Sequence, residues 1–161
     1  MTNKQVGNLY VIGQFALIIA LAVLPNPANW SNTSTLGIID NAIFALGWLV
    51  LIVAILNLGR SLTANPVPLK RATLKTGGLY GVVRHPIYLG LIIIAFSMAL
   101  KSESLLGGLL FVVLVLLLNF KASFEEKLLG AKFPEYADYA SRVGRLFPGV
   151  GKINHQGKSP N

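Results

Sequence analysis

Two clusters of polar and aromatic residues could perform chemistry in this chain. The first, residues 76–90, reads TGGLYGVVRHPIYLG, and in it Arg84 and His85 stand directly before Pro86. Proline is favoured at the first position of a helix, because its missing N–H would have no partner there. This predicts Arg84 and His85 at a helix start, whose free N–H groups could receive a carboxylate or a phosphate. The alternative is that both residues are interfacial anchors and that the glycines only form turns.

The second cluster, residues 121–148, contains the adjacent acids Glu125 and Glu126. Neighbouring side chains on a helix project about 100° apart, so the two carboxylates are not expected to face one pocket. The acid that turns away is expected to pair with Lys121, Lys127 or solvent. Beyond the acids, residues at helical spacing predict a short amphipathic helix, on the membrane or across the helix ends: Phe133, Tyr136, Ala140 and Val143. The alternative is a solvated charged helix followed by an interfacial anchor.

Four apolar segments must position these clusters: residues 9–24, 36–59, 87–100 and 105–120. A helix needs about 17–25 apolar residues to cross the hydrocarbon. The second segment has them, and the first and fourth reach this length with their uncharged flanks. The third has only 14 residues, so it is too short to span unless the preceding loop supplies its start at the membrane surface. The sequence therefore predicts an all-α fold, a polytopic membrane protein with four transmembrane helices and a C-terminal cytoplasmic helical tail.

The charges predict the orientation of these spans. The 161 residues include 14 Lys and Arg against 6 Asp and Glu, a net charge of +8, yet only 12% of residues are charged. Thirteen of the 14 cations fall at the N-terminus, in the loop 60–84 or after residue 120. The positive-inside rule therefore predicts both termini and this loop in the cytoplasm. The positive charge then attracts anionic lipid, and no nucleic-acid partner is expected.

Composition excludes several classes of protein. A hydrophobic fraction of 53% excludes intrinsic disorder. Without Cys there is no disulfide framework, thiolate metal site or Cys nucleophile, and no metal site is predicted. One membrane domain is expected over residues 1–148, with a flexible tail over residues 149–161 and Trp30 at the membrane interface. A cleaved signal peptide in the first segment is the alternative there, but no A-x-A-type site follows it.

The two clusters together resemble a known family. An R-H-P-x-Y run before a short span, a hydrophobic hairpin, then E-E and an F-x-x-Y-x-x-Y run ending in Pro resembles the isoprenylcysteine carboxyl methyltransferase family. That family belongs with the integral-membrane phospholipid methyltransferases. The resemblance covers about residues 74–148. The residues that carry it are Gly78, Tyr80, Arg84, His85, Pro86, Tyr88, Gly90, Glu125, Glu126, Leu129, Phe133, Tyr136, Tyr139 and Pro148.

The resemblance implies an S-adenosyl-L-methionine-dependent methyltransferase that releases S-adenosyl-L-homocysteine. The cofactor would bind between the cytoplasmic ends of the last two spans, with the tail folded over it. The acceptor would be lipophilic, either an isoprenylcysteine-like carboxylate or another small isoprenoid or lipid, and would enter from the bilayer. A prenylated acceptor is included in this class.

The resemblance also implies roles for individual residues. Arg84 and Glu125 are the expected catalytic residues, and Arg84 would bind a carboxylate of cofactor or substrate through two nitrogens. The expected cofactor-binding residues are Tyr80, His85, Pro86, Tyr88, Glu125, Glu126, Tyr136 and Tyr139. The sequence does not indicate which of the two acids faces the cofactor.

Three alternatives stay open at this point. The chain could be a phospholipid N-methyltransferase, or an NADPH-dependent enzyme of the sterol reductase type, whose C-terminal hairpin and R-H-P-type loop are similar. It could also be a non-enzymatic four-span membrane protein. The paired acids favour a methyl donor. The sequence does not indicate an oligomeric state.

Overall fold

The computed structural model describes residues 1–25, 34–69 and 71–153. Trp30 and the end of the predicted flexible tail lie outside the described residues. The described part forms five α-helices: α1 (Asn3–Ala22), α2 (Thr35–Leu58), α3 (Pro86–Lys101), α4 (Leu105–Lys132) and α5 (Tyr136–Arg142). Short 3₁₀ turns cover Gly59–Ser61 and Gly78–Gly81. No strand occurs in these described ranges, so the all-α prediction is confirmed.

Polar caps and one proline set where the helices begin. The side-chain oxygens of Thr2, Ser34 and Ser104 accept hydrogen bonds from backbone N–H groups in the first turns of α1, α2 and α4. These bonds satisfy donors that have no partner inside the helix. Pro86 is the first residue of α3, as the sequence predicts, so His85 stands at the N-cap position of that helix.

Within the described part of the chain, three segments are long and apolar enough to cross a membrane: Asn3–Ala22, Thr35–Ser61 and Leu105–Lys132. The third apolar helix, α3, has 16 residues, which is about 24 Å at 1.5 Å per residue. It is therefore shorter than a typical span, and the count of four spans stays a prediction. The last apolar helix does not end at residue 120, because α4 continues to Lys132 and carries both acids of the second cluster.

The long helices pack as two pairs joined through α3. Helix α2 packs mainly on α3, α1 packs mainly on α4, and α3 also contacts α4. Glycines allow the close approach of α2 and α3. A Cβ added at Gly90 would lie 2.9 Å from the backbone nitrogen of Leu51 and 3.0 Å from the carbonyl oxygen of Gly47. This contact fixes the position of α3, whose first turn carries the first cluster.

Replacing Gly90 with Ala is expected to lower the free energy of unfolding by about 1–3 kcal/mol, because the added methyl group overlaps the backbone of α2. Thermal unfolding in detergent micelles measures the change. Gly108→Ala is the matched control in α4, since no atom lies within 4 Å of its added Cβ. A helical Gly→Ala change without a clash is expected to be neutral or stabilising. Equal melting temperatures for Gly90→Ala and the unmodified protein would contradict the tight contact.

The C-terminal segment folds back on the helix ends. Tyr136, Tyr139 and Ala140 of α5 are buried in a small apolar cluster, and Leu129 and Phe133 pack against it. The short helix expected from the sequence is present over Tyr136–Arg142, and Phe133 and Val143, which the prediction placed on it, lie just outside its ends. Residues 149–153, which the sequence assigns to the flexible tail, are hydrogen-bonded to the rest of the protein. The N–H of Ile153 donates to the carbonyl oxygen of Ala140 at 3.0 Å, and Arg84 bonds the carbonyl oxygen of Gly151 at 2.9 Å.

Candidate functional site

The R-H-P loop is held by the C-terminal segment. Residues Val83 and Gly144 form a parallel bridge. The N–H of Arg84 donates to the carbonyl oxygen of Gly144 at 2.8 Å, and the N–H of His85 donates to that of Arg145 at 3.1 Å. These backbone bonds fix the direction in which the Arg84 and His85 side chains leave the chain. The folded-back tail expected from the family resemblance therefore contacts the loop directly.

Arg84 is buried and every nitrogen of its guanidinium has a partner. Its Nε and Nη2 contact Oε1 of Glu126 at 2.8 and 2.7 Å. Its Nη1 donates to the carbonyl oxygens of Ala140, at 2.9 Å, and Val143. The two-nitrogen contact expected with a ligand carboxylate is thus made with Glu126. In this arrangement Arg84 connects α3, α4 and the tail.

Glu126 accepts from three cationic or potentially cationic groups. Besides Arg84, the guanidinium of Arg145 contacts its Oε2 at 2.6 Å, and Nε2 of His85 lies 3.3 Å from its Oε1. The prediction that the acid turned away from the pocket pairs with Lys121, Lys127 or solvent is therefore wrong. A buried carboxylate is stable only when it is paired and hydrogen-bonded, and Glu126 meets this condition.

His85 lies between the two acids. Its ring stacks on Tyr88 with the ring centres 5.2 Å apart and the planes 3° apart. Its Nδ1 lies 3.6 Å from Oε2 of Glu125 and its Nε2 faces Glu126. Burial lowers the pKa of His85, but the hydrogen bonds and negative charges of Glu125 and Glu126 outweigh this effect, so its pKa is raised above the usual 6.5. This surrounding favours the imidazolium form.

Glu125 is the acid that faces open space. The hydroxyl of Tyr88 donates to its Oε2 at 2.7 Å. Its side chain is 27% exposed, whereas that of Glu126 is 5% exposed. Glu125 lines both cavities described below, and Glu126 lines neither. The structure therefore distinguishes two acids that the sequence left equivalent.

A large cavity of about 480 Å³ lies between α1, α2, α3 and α4, within the usual size range of ligand sites. Its walls are mostly apolar and include Phe15, Ile18, Trp48, Leu51, Ile55, Leu91 and Ile94. Polar side chains gather at one end of it: Gln14, His85, Tyr88, Lys121 and Glu125. Such a shape suits an amphiphile with one polar end.

A small cavity of about 80 Å³ adjoins it among the helix ends and α5. Tyr80, Phe133, Tyr136 and Tyr139 give it an aromatic wall. The hydroxyl of Tyr136 is buried without a hydrogen-bond partner, while that of Tyr139 donates to the carbonyl oxygen of Tyr80 at 2.5 Å. Burial raises the pKa of Tyr139 to about 12, so this phenol stays neutral. Aromatic faces beside a carboxylate suit an organic cation.

The two cavities share a wall, formed by Leu58, Thr63, Tyr80, Arg84 and Glu125. Seven of the nine residues expected to act in the site line one cavity or the other: Tyr80, Arg84, His85, Tyr88, Glu125, Tyr136 and Tyr139. Pro86 and Glu126 line neither cavity. Pro86 is the first residue of α3, and Glu126 is buried and paired with Arg84. The catalytic and binding roles of all nine stay predictions. Within the described ranges, no three His, Cys, Asp or Glu side chains are grouped to hold a metal ion.

Two residues of the site, Arg145 and Gln14, were not expected from the sequence. Arg145 bonds Glu126 and also the hydroxyl of Ser123, at 2.9 Å. Lys121 is buried, and its Nζ donates to Oε1 of Gln14 at 2.7 Å. Arg145 is one of several basic residues after α4, and Gln14 is a single polar residue in an apolar helix. A polar residue within a membrane segment was the only available signal for Gln14.

A comparison with protein families decides what this arrangement is related to. A family model described as phospholipid methyltransferase matches residues 33–135, which is more than half of the chain. The chain belongs to the phospholipid methyltransferase family. The expected membership of the integral-membrane methyltransferase group is thereby confirmed. With its three long apolar helices, this phospholipid methyltransferase family member is an integral membrane protein.

Two curated relatives are similar over most of the chain. The nickel-cobalt-cadmium resistance protein NccN of Alcaligenes xylosoxydans xylosoxydans is 28% identical over 150 residues, which cover 92% of this chain and 66% of the relative. The cobalt-zinc-cadmium resistance protein CzcN of Cupriavidus metallidurans is 27% identical over 157 residues, covering 92% of this chain and 65% of the relative. The chain thus spans just under two thirds of the length of either relative. No solved structure matches it.

Proposed function

We propose that this family member is an S-adenosyl-L-methionine-dependent methyltransferase that acts on a lipophilic acceptor, either an isoprenylcysteine-like carboxylate or another small isoprenoid or lipid. One observation carries the proposal. An apolar cavity between membrane helices and an aromatic cavity at the helix ends share one wall, and Glu125 lies in it. A reaction between a lipid and a polar, cationic donor needs two such compartments in contact.

The residues of the small cavity fit the methyl donor. S-adenosyl-L-methionine supplies an electrophilic methyl group on a positively charged sulfur. Tyr80, Tyr136 and Tyr139 would face that charge with their rings, and Glu125 would offset it. The buried hydroxyl of Tyr136, which has no partner, would bond a polar group of the donor. His85 would bond the donor's amino-acid end from its place beside both acids.

The small cavity must widen to admit the donor, since about 80 Å³ is below the usual volume of a ligand site. Residues 62–69 and 71–75 form one side of it, through side chains such as Pro68, Thr73 and Leu74. Polar bonds hold this segment, with Asn65 on Oδ1 of Asn8 at 2.7 Å and Lys132 on the carbonyl oxygen of Leu69. An outward movement of this segment would open the cavity.

Methyl transfer is a displacement in line, so most of the rate enhancement would come from positioning in a water-poor site. The apolar wall of the large cavity would hold the acceptor tail and direct its head toward Glu125. Tyr88 and His85 would hold Glu125 in place through the 2.7 and 3.6 Å contacts. A carboxylate acceptor needs no base. Both termini and the loop 60–84 would lie in the cytoplasm, where the donor is present.

Binding of the reaction product tests this proposal. S-adenosyl-L-homocysteine at saturating concentration is expected to raise the melting temperature of the protein in detergent, because a ligand that binds only the folded state stabilises it. NADPH is expected to leave the melting temperature unchanged. A shift with NADPH alone would favour the reductase alternative, and no shift with either ligand would contradict the proposed enzyme.

A further inference from the structure

Asn65 connects the first turns of α1 to the segment that follows α2. Its Nδ2 donates to Oδ1 of Asn8 at 2.7 Å and to the carbonyl oxygen of Lys4 at 3.2 Å. Its Oδ1 accepts the N–H of Val67 at 3.0 Å. One side-chain amide, with two donors and an acceptor oxygen, therefore bonds both its own segment and a helix that lies 57 residues or more away in the sequence.

Gly7 provides the space that this amide occupies. A Cβ added at Gly7 would lie 2.4 Å from Oδ1 of Asn65 and 2.9 Å from its Cγ. Gly7 is buried, whereas its neighbour Asn8 is exposed, so the amide of Asn65 lies directly against the backbone of α1. We refer to this contact among Gly7, Asn8 and Asn65 as the α1 clasp.

The segment that the α1 clasp holds, residues 62–69, lies against both cavities. Three of its residues line the large cavity: Leu62, Thr63 and Ala64. Thr63 and Pro68 line the small one. Pro66 and Pro68 have a fixed φ, because their rings restrict the backbone, so the segment is expected to move as one unit. Gly59, just after α2, has a φ of 54° and no atom within 4 Å of an added Cβ, which leaves room for a hinge.

The small cavity has to widen before it can hold the donor, because its volume of about 80 Å³ is below that of usual ligand sites. Displacing residues 62–69 widens it, and this displacement breaks the bonds from Asn65 to α1. We infer that the α1 clasp is the latch of a gate, which holds residues 62–69 closed over the small cavity and is open while the donor is bound. The inference rests on the proposed function for the identity of the donor, and it adds how access to the donor site is controlled.

Weakening the α1 clasp is then expected to tighten donor binding. The apparent dissociation constant of a ligand falls as the fraction of molecules in the binding-competent state rises. Asn65→Ala removes two hydrogen bonds to α1, so S-adenosyl-L-homocysteine should bind about tenfold more tightly, while the melting temperature without ligand falls. A merely structural role for Asn65 would lower the melting temperature and leave the affinity unchanged or weaker. Isothermal titration in detergent micelles measures the affinity.

Two further variants assign the effect to the clasp. Asn8→Ala removes one of the two bonds at an exposed position, so it should fold and tighten binding by a smaller factor. Asn41→Ala is the matched control, because it removes an asparagine that bonds Lys101 at 3.3 Å, at the opposite end of α2. It should leave the affinity unchanged.

A disulfide across the α1 clasp tests the opposite change. The chain has no Cys, so Gly7→Cys with Asn65→Cys introduces one pair of thiols. A Cβ at Gly7 lies 2.9 Å from Cγ of Asn65, and one C–C bond adds about 1.5 Å at most. The two Cβ atoms are therefore within reach of a disulfide, which needs about 3.5–4.5 Å between them. The oxidised protein should bind S-adenosyl-L-homocysteine at least about tenfold more weakly than the reduced protein, and each single-cysteine variant should bind equally with and without oxidant.

The outcomes separate the gate from the proposed function. Equal affinities of the oxidised and reduced double variant would overturn the gate, as would unchanged affinity in both Asn65→Ala and Asn8→Ala. Maleimide labelling of Leu129→Cys gives a readout without donor, since Leu129 lines the small cavity. Adding Asn65→Ala should accelerate this labelling about tenfold. Accelerated labelling without binding of S-adenosyl-L-homocysteine would reject the methyltransferase and retain the gate, whereas binding with unchanged labelling would overturn the gate.

Discussion

Replacing Arg84 with Met is expected to lower the free energy of unfolding by about 3–5 kcal/mol, because it removes one of the two arginines paired with the buried carboxylate of Glu126. The side chains of Arg84 and Glu126 are 1% and 5% exposed, and they lie 2.7 Å apart. The change also removes the bonds from Arg84 to the carbonyl oxygens of Ala140, Val143 and Gly151. Denaturant titration in mixed micelles, followed by circular dichroism, measures the loss.

An exposed arginine in the C-terminal segment, Arg142, provides the control. Arg142 pairs with Asp138 at 2.7 Å, and both side chains are about 70% exposed, at 69% and 70%. Arg142→Met is therefore expected to change stability by about 0–1 kcal/mol. The double variant Arg84→Met with Glu126→Gln should recover part of the loss, since the buried carboxylate is then neutral and the arginine left without it, Arg145, is partly exposed. Comparable effects of Arg84→Met and Arg142→Met would show that the buried pair is not structural.

Much of the fold could be predicted, because the length of an apolar segment indicates the length of the membrane helix that it forms. The apolar segments predicted the helices α1 to α4 of the described residues, and Pro86 predicted the first residue of α3. The end of α4 could not be predicted in the same way. Hydropathy falls where a helix leaves the apolar layer, but the backbone stays helical through Lys121 and on to Lys132. This extension puts Glu125 and Glu126 on a rigid element, directly beside the start of α3.

The site was predictable in its residue types and less so in its pairings. Motif and spacing indicated Arg84, His85 and the two acids, because these residues lie next to the ends of apolar segments. The partner of each acid depends on the folded tail, which joins Arg145 to Glu126 and Arg84 to Gly151. These are contacts between distant segments, and one sequence gives no signal for them. The tail thereby pairs with Glu126, while Glu125 stays in the wall of both cavities.

The difference in environment between Glu125, which faces the cavities, and Glu126, which is buried in ion pairs, leads to a second prediction. Glu125→Gln is expected to keep the fold, because Gln can still accept the hydroxyl of Tyr88 that now lies 2.7 Å from Oε2. It removes the negative charge that would face the sulfonium of the donor. Affinity for S-adenosyl-L-methionine should therefore fall about 10- to 100-fold, the range for one charged hydrogen bond. S-adenosyl-L-homocysteine lacks the sulfonium charge, so its affinity should fall less.

Isothermal titration with both ligands measures this difference, and two further acids complete the design. Glu135→Gln is the control on the exposed surface and should change neither affinity. Glu126→Gln should lose stability as Arg84→Met does, because it leaves Arg84 and Arg145 without their shared carboxylate. If Glu125→Gln weakens both ligands equally, then Glu125 contacts a part of the donor other than the sulfonium. If it weakens neither, Glu125 has no role in donor binding, and the wall between the two cavities is not the place where the methyl group is transferred.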